Sequence, residues 1–348
     1  MVKETGIGLI VEKDEPNMKI NDIFRTEVEV EPSNYKINHK TPVMFLGSCF
    51  ADNIGAMLVE KKFPVCVNPF GVIYNPMSVK QSLDILINKK EFQKDDLYQF
   101  NNQWISFFHH SGFSSPDLNN ALEKINCGIE KGAGFLESTK FLFITFGTAW
   151  VYEWKETGKV VSNCFKIPAG KFNRRMLKPE EILEVWGEII EKLKIKLPGL
   201  KIIFTVSPVR HWKDSAEGNM VSKSVLLYAI HLLRNKFPGL DYFPSYEIMM
   251  DDLRDYRFYG EDMLHLNTSA VNYIWQKFDQ RFINDETRKV LKKIDEINRA
   301  VAHKPFRPGS EEHLAFVEKT LQKIRQVESV FPEMDFSKEK QRLQLGGQ

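Results

Sequence analysis

Residues 43–61 read Val43-Met44-Phe45-Leu46-Gly47-Ser48-Cys49-Phe50-Ala51-Asp52-Asn53-Ile54-Gly55-Ala56-Met57-Leu58-Val59-Glu60-Lys61. Four consecutive apolar residues are followed by glycine and serine. Apolar residues then recur at helical spacing. This pattern describes a buried strand, a tight turn and a helix. The alternation repeats downstream. Strands are predicted at 63–67, 141–146, 201–206 and 241–246, and helices at 78–88, 119–137, 179–196, 216–237 and 268–282. Ser78 is the expected N-cap of the first of these helices. Pro179 opens another, where its missing N–H costs little. Continuous apolar strands alternating with helices predict an α/β fold whose mainly parallel sheet is covered on both faces.

Around this core the chain changes character. Residues 1–40 are polar, with Pro16 and Pro32 as breakers, and read as a lead-in carrying an edge strand at 26–30. Residues 91–118 form an irregular, aromatic-rich stretch. Beyond 283, two charge-rich helices are joined by a turn at Pro305 and Pro308, and the tail from Pro332 is polar and expected to fray. The expected organisation is a lead-in (1–21), one α/β domain (22–282), a helical extension (283–330) and a polar tail (331–348). The two-domain prior for 348 residues is thus replaced by one α/β unit with additions.

Composition narrows the function classes. Apolar residues make up 43% and charged residues 27%, as in globular proteins. No apolar run is long enough to span a bilayer. The start lacks the basic-then-apolar build of a secretory signal. The 48 basic and 46 acidic residues nearly cancel, so no strong field favours nucleic acid. A cytoplasmic protein with neither nucleic-acid nor membrane partner is expected. Cys49, Cys66, Cys127 and Cys164 show no C-x-x-C spacing, so neither a zinc site nor a disulfide scaffold is expected. The adjacent His109 and His110 do not suit one metal ion either. No metal or organic cofactor is expected.

In open α/β sheets ligands bind beyond the carboxyl ends of the strands. Those ends carry Gly47-Ser48-Cys49-Phe50, Asn68-Pro69-Phe70-Gly71, Gly147-Thr148-Ala149-Trp150 and Ser207-Pro208-Val209-Arg210-His211. Asp262-Met263-Leu264-His265 precedes the last core helix. Ser48 at a helix N-terminus is either a nucleophile, with free N–H groups nearby, or simply an N-cap. Asp262 and His265, three apart, fit an orienting carboxylate and a base, or a helix-start acid and a surface histidine. Cys49 is a rival nucleophile and His211 a rival base. Arg210 and His211 suit either a carboxylate or phosphate on a substrate, or simply surface solvation or packing. Trp104, Phe107, Phe108, Trp150, Tyr152 and Trp154 suit either an acyl or sugar pocket or a core.

Gly47-Ser48-Cys49-Phe50-Ala51 resembles the motif that names the GSCFA family, itself similar to SGNH/GDSL-type hydrolases. The later runs from Gly147, Ser207 and Asp262 resemble its further signatures in the right order, over roughly residues 22–282. The resemblance implies a three-layer, flavodoxin-like sandwich. It implies Ser48 as nucleophile, His265 as base and Asp262 as its orienting acid. It implies oxyanion donors at the Ser48 N–H, at a glycine of the second block, here Gly71, and at a third-block asparagine. That asparagine is missing, and the expected substitute is Thr148 or its backbone N–H, or alternatively Asn68 or Asn75 reaching in. Trp150, Arg210, His211 and Asn68 are the expected substrate contacts. The implied function is a serine esterase acting on a small acyl ester such as an acetylated carbohydrate. An acyltransferase or a weakly catalytic binding module are the alternatives. A homodimer through the C-terminal helices is the expected assembly.

Overall fold

The computed structural model describes residues 26–345. The lead-in 1–21 lies outside them. In chain order the elements begin β1 (Val43–Gly47), α1 (Cys49–Glu60), β2 (Val65–Val67), α2 (Pro76–Asn88), β3 (Tyr98–Phe100), β4 (Gln103–Ile105) and α3 (Leu118–Ser138). There follow β5 (Phe141–Phe146), β6 (Trp150–Trp154), β7 (Val160–Val161), β8 (Phe172–Met176), α4 (Pro179–Lys196), β9 (Lys201–Val206) and α5 (Ser215–Lys236). The chain continues through β10 (Asp241–Tyr242), a single turn α6 (Ser245–Glu247), α7 (Thr268–Phe282), α8 (Asp285–Ala302), α9 (Glu311–Val330) and α10 (Ser337–Leu345).

Five strands make one parallel sheet in the order β10-β9-β5-β1-β2. Taken by rank along the chain this is 2-1-3-4-5, the flavodoxin-like order, with its switch point between β1 and β5. The period of two sorts each strand between two cores. Met44, Leu46, Leu142, Ile144, Phe146, Ile202 and Phe204 face α2–α5. Phe45, Phe141, Phe143 and Ile203 face α1 and α7. Both faces are covered, which explains the uninterrupted apolar runs. Complete burial of Phe146 and Phe204 stabilises by about 1.5–3 kcal/mol each.

Several expectations are corrected. Residues 26–30 form no strand, because the Val28 N–H turns to the Asp252 carboxylate at 2.6 Å. The cap of α2 is Asn75 rather than Ser78: its Oδ1 accepts the Ser78 N–H, and Pro76 fills the first turn. The strand after α5 stops at Tyr242, ahead of Pro244. The aromatic stretch 91–118 holds the β3–β4 hairpin. With the small antiparallel sheet β7-β6-β8 it builds a satellite core around Trp154, Phe107 and Phe172. The expected fraying of the tail is not seen among the described residues: Met334, Phe336 and Leu343 join Ile294, Ile297, Ile324 and Val327 in a third core, and α10 closes over it. Lys61 to Asp295 (2.6 Å) and Lys62 to Glu339 (2.8 Å) tie this unit to the end of α1. No helix among the described residues is long and apolar enough to cross a membrane.

Candidate active site

The turn from β1 into α1 is forced by Gly47. Its φ is +136°, and a Cβ there would sit 2.1 Å from the Thr145 carbonyl oxygen. Only glycine lets β1 and β5 run this close at their carboxyl ends. The next residue, Ser48, caps α1, and its Oγ accepts the Phe50 N–H at 3.3 Å. Ser48 thus sits at the switch point of the sheet, as the N-cap reading required, and also lines a cleft of about 570 Å³. Its own surface is closed to solvent.

Across the cleft, the loop before α7 presents His265. Asp262 Oδ1 accepts the N–H groups of Leu264 and His265, both at 2.9 Å, and fixes the loop. Asp262 Oδ2 lies 2.6 Å from His265 Nδ1. These bonds hold the Asp262 carboxyl down at about 2, the histidine side-chain contact being the largest cause. The carboxylate therefore keeps the proton of neutral His265 on Nδ1 and leaves Nε2 free as an acceptor. The pair belongs to a tight loop rather than to a helical turn.

The backbone N–H groups of all three expected oxyanion donors are engaged within the chain. The Ser48 N–H goes to the Thr145 carbonyl at 3.3 Å, the Gly71 N–H to the Asn68 carbonyl at 2.7 Å, and the Thr148 N–H to the Tyr74 carbonyl at 3.1 Å. Gly71 serves the backbone instead: its φ is +74°, and a Cβ would meet the His110 Cβ at 2.3 Å. Asn68, expected as a substrate contact, is engaged within the chain as well. Its Oδ1 accepts the Gly47 N–H at 2.8 Å and its Nδ2 donates to Asp52 at 2.5 Å, stapling β2 to β1. Asn68 and Gly71 line a different, larger cleft of about 1200 Å³, bounded by α10, that contains neither Ser48 nor His265. Asn75 lines the Ser48 cleft; its Oδ1 accepts the Ser78 N–H and one Nδ2 hydrogen goes to Ser78 Oγ, which leaves the second Nδ2 hydrogen for a ligand. What remains of Thr148 is its hydroxyl, 3.2 Å from Ser222 Oγ.

Trp150, Arg210 and His211 do line the Ser48 cleft. Burial, then the nearby Lys223 charge, drives the His211 imidazole down to about 4, so it is neutral at pH 7. Its main-chain N–H is held by Asn219 at 2.9 Å, and neither ring nitrogen has a partner among the described residues. In the loop before α2, the N–H groups of Val72 and Tyr74, both on the cleft wall, are equally unspent. The Cys49 thiol is pushed up by burial and by Asp52, which keeps it protonated and speaks against a thiolate nucleophile. His109 is a core residue, 2.8 Å from Ser106 Oγ and packed on Phe70.

Reading the sequence missed Lys223. This side chain is fully buried in α5, beneath the strand ends, and donates to the carbonyls of Gly147 and Ser207, both at 2.7 Å. It pins the two loops that follow β5 and β9. Burial lowers its ammonium to about 7. The available signal was position: Asn219, Lys223, Leu226, Ile230 and Leu233 fall on one helical stripe, which a solvated lysine does not share. Arg174, Lys213 and Asp214 were also missed, although all three line the cleft.

Fold and cleft define a doubly wound α/β protein of flavodoxin-like order, with a serine and a carboxylate-held histidine in one cleft at its switch point. The chain belongs to the GSCFA family, whose model matches residues 42–278. The model for the C-terminal domain of GSCFA domain proteins matches residues 294–346. No curated protein matches the chain. Among solved structures, the chain is similar to a Streptococcus pneumonia protein described as a platelet activating factor (12% identity, 72% of this chain and 85% of the other, TM-score 0.35). It is also similar to a Bacteroides fragilis protein described as an acylhydrolase (11% identity, 76% and 92%, TM-score 0.34). A third is a family 3 carbohydrate esterase from Talaromyces cellulolyticus (8% identity, 74% and 99%, TM-score 0.30). At these identities and TM-scores the likeness says nothing of the reaction.

Proposed function

We propose that the protein is a serine esterase acting on a small acylated substrate through an acyl-serine intermediate. The observation that carries this reading is the shared cleft of Ser48 and His265, with Asp262 2.6 Å behind the histidine. His265 Nε2 takes the Ser48 proton as Oγ attacks the ester carbonyl, and Asp262 stabilises the imidazolium that forms. The negative oxygen is met by the unspent N–H of Val72 and by the neutral imidazole of His211 in place of the missing asparagine. His265 returns its proton to the leaving alcohol. Water, or an acceptor hydroxyl in the transferase version, then resolves the acyl-enzyme. An acetylated carbohydrate is the substrate suggested by the family resemblance.

A second reading, a weakly catalytic binding module, is favoured by the closed surface of Ser48 and the three spent donors. Hydrolysis of 4-nitrophenyl acetate by variants separates the two. The enzyme reading expects Ser48→Ala and His265→Gln to lose about 10³-fold or more in kcat/KM, and Asp262→Asn about 10²–10⁴-fold. Activity at background in the wild type, or unchanged in Ser48→Ala, rejects it.

A further inference from the structure

Three polar groups in the Ser48 cleft are buried without a hydrogen-bond partner among the described residues: Trp150 Nε1, Arg210 Nε and Ser162 Oγ. All three can donate. Buried donors are almost always paired, so three orphans lining one cleft mark it as a place where acceptor oxygens of a ligand fit. The charges around them agree. Three cationic side chains, Arg174, Arg210 and Lys213, line the cleft against the single carboxylate of Asp214. Asp214 is used up by Arg174, with which it forms an ion pair. Arg174 in turn stacks on the Trp150 ring at 4.1 Å. Lys213 donates to the Tyr152 hydroxyl at 2.7 Å, and the Arg210 guanidinium lies over Trp212 at 4.7 Å. Neither Lys213 nor Arg210 pairs with a carboxylate among the described residues. The Arg210 main-chain N–H reaches the Leu264 carbonyl at 3.4 Å, which sets this residue beside the His265 loop.

From this we infer that the cleft selects an ester whose body carries an anionic group, a carboxylate or a phosphate, held by Arg210 with Lys213 and the Trp150 indole N–H. The inference rests on the esterase reading for the ester, but not for the anion. A planar guanidinium matches the two oxygens of either group. Lys213, exposed to solvent, adds field more than a fixed contact. The near-neutral whole chain gives no such preference, so the selection is local to the cleft.

Two measurements on the full chain test the inference. In the first, calorimetry follows succinate and inorganic phosphate binding to the Ser48→Ala protein. At least one anion binds saturably, and adding Arg210→Gln weakens it about 10- to 100-fold, the loss of one charge-assisted pair. Which anion binds distinguishes the carboxylate from the phosphate source. Lys213→Gln, at an exposed position, provides a milder variant if Arg210→Gln does not fold. In the second, wild-type kcat/KM is compared for mono-(4-nitrophenyl) succinate and 4-nitrophenyl butyrate. A preference for the succinyl ester that collapses in Arg210→Gln supports the proposal. Absence of binding by both anions, or binding that neither variant weakens, overturns it. Where succinate binds, hydrolysis of both esters without preference overturns it while keeping the esterase. Arg210-dependent binding with no hydrolysis of either ester rejects the esterase and keeps the anion site.

Discussion

At the scale of the residue, Ser48 is the N-cap of α1 and also lines the cleft that His265 lines, the position from which it is proposed to act as nucleophile. The motif and its strand–turn–helix setting were legible because they are local. The oxyanion donors were not: whether a backbone N–H is free depends on which carbonyl approaches from another strand or loop, as Thr145 and Tyr74 do. His211 offers a test of the cleft's electrostatics. Its pKa falls from 6.5 to about 4 through burial, so the unfolded chain takes up a proton before the folded one does. Stability is therefore lost as pH falls from about 6.5 towards 4. Between pH 7 and 5, the wild type is expected to lose about 2 kcal/mol more than His211→Phe, read from urea midpoints. The comparison matters because His39 and His109 titrate with the same sign and remain in both proteins. Equal losses contradict the placement of His211.

At the scale of the element, the β1–α1 junction depends on Gly47. Gly47→Ala forces a Cβ into the Thr145 carbonyl at a φ of +136°. It is expected to cost about 3–5 kcal/mol, a size that only strain or a buried clash produces. Urea denaturation measures it, and a cost below 1 kcal/mol contradicts the described turn. The helices of the sandwich were readable from 3.6-residue periodicity, α4 and α7 to the residue. The β3–β4 hairpin and the β6–β8 sheet were not, because strands of two to five residues rich in aromatics show no clear period.

At the scale of the molecule, the α/β sandwich was legible since doubly covered strands must be apolar throughout, as Phe141–Phe146 is. The C-terminal unit was only half legible. The stripes of α8 and α9 stood out, but Met334, Phe336 and Leu343 are too widely spaced to announce α10. Phe336 is completely buried, and Lys62 lies over its ring at 4.8 Å. Phe336→Ala is expected to destabilise by about 3–5 kcal/mol. No described residue of α8–α10 lines the Ser48 cleft, so kcat/KM of the folded fraction should stay unchanged. A thermal melt paired with an activity assay checks both. A drop in activity without loss of stability would instead couple this unit to the cleft.

The central claim, that Ser48 is an activated nucleophile, is tested most directly by fluorophosphonate labelling read by intact-protein and peptide mass spectrometry. The account predicts one adduct per chain on the peptide containing Ser48, absent in Ser48→Ala, retained in Cys49→Ala and slowed in His265→Gln. No adduct on the wild type, or an adduct that survives Ser48→Ala and disappears in Cys49→Ala, contradicts it.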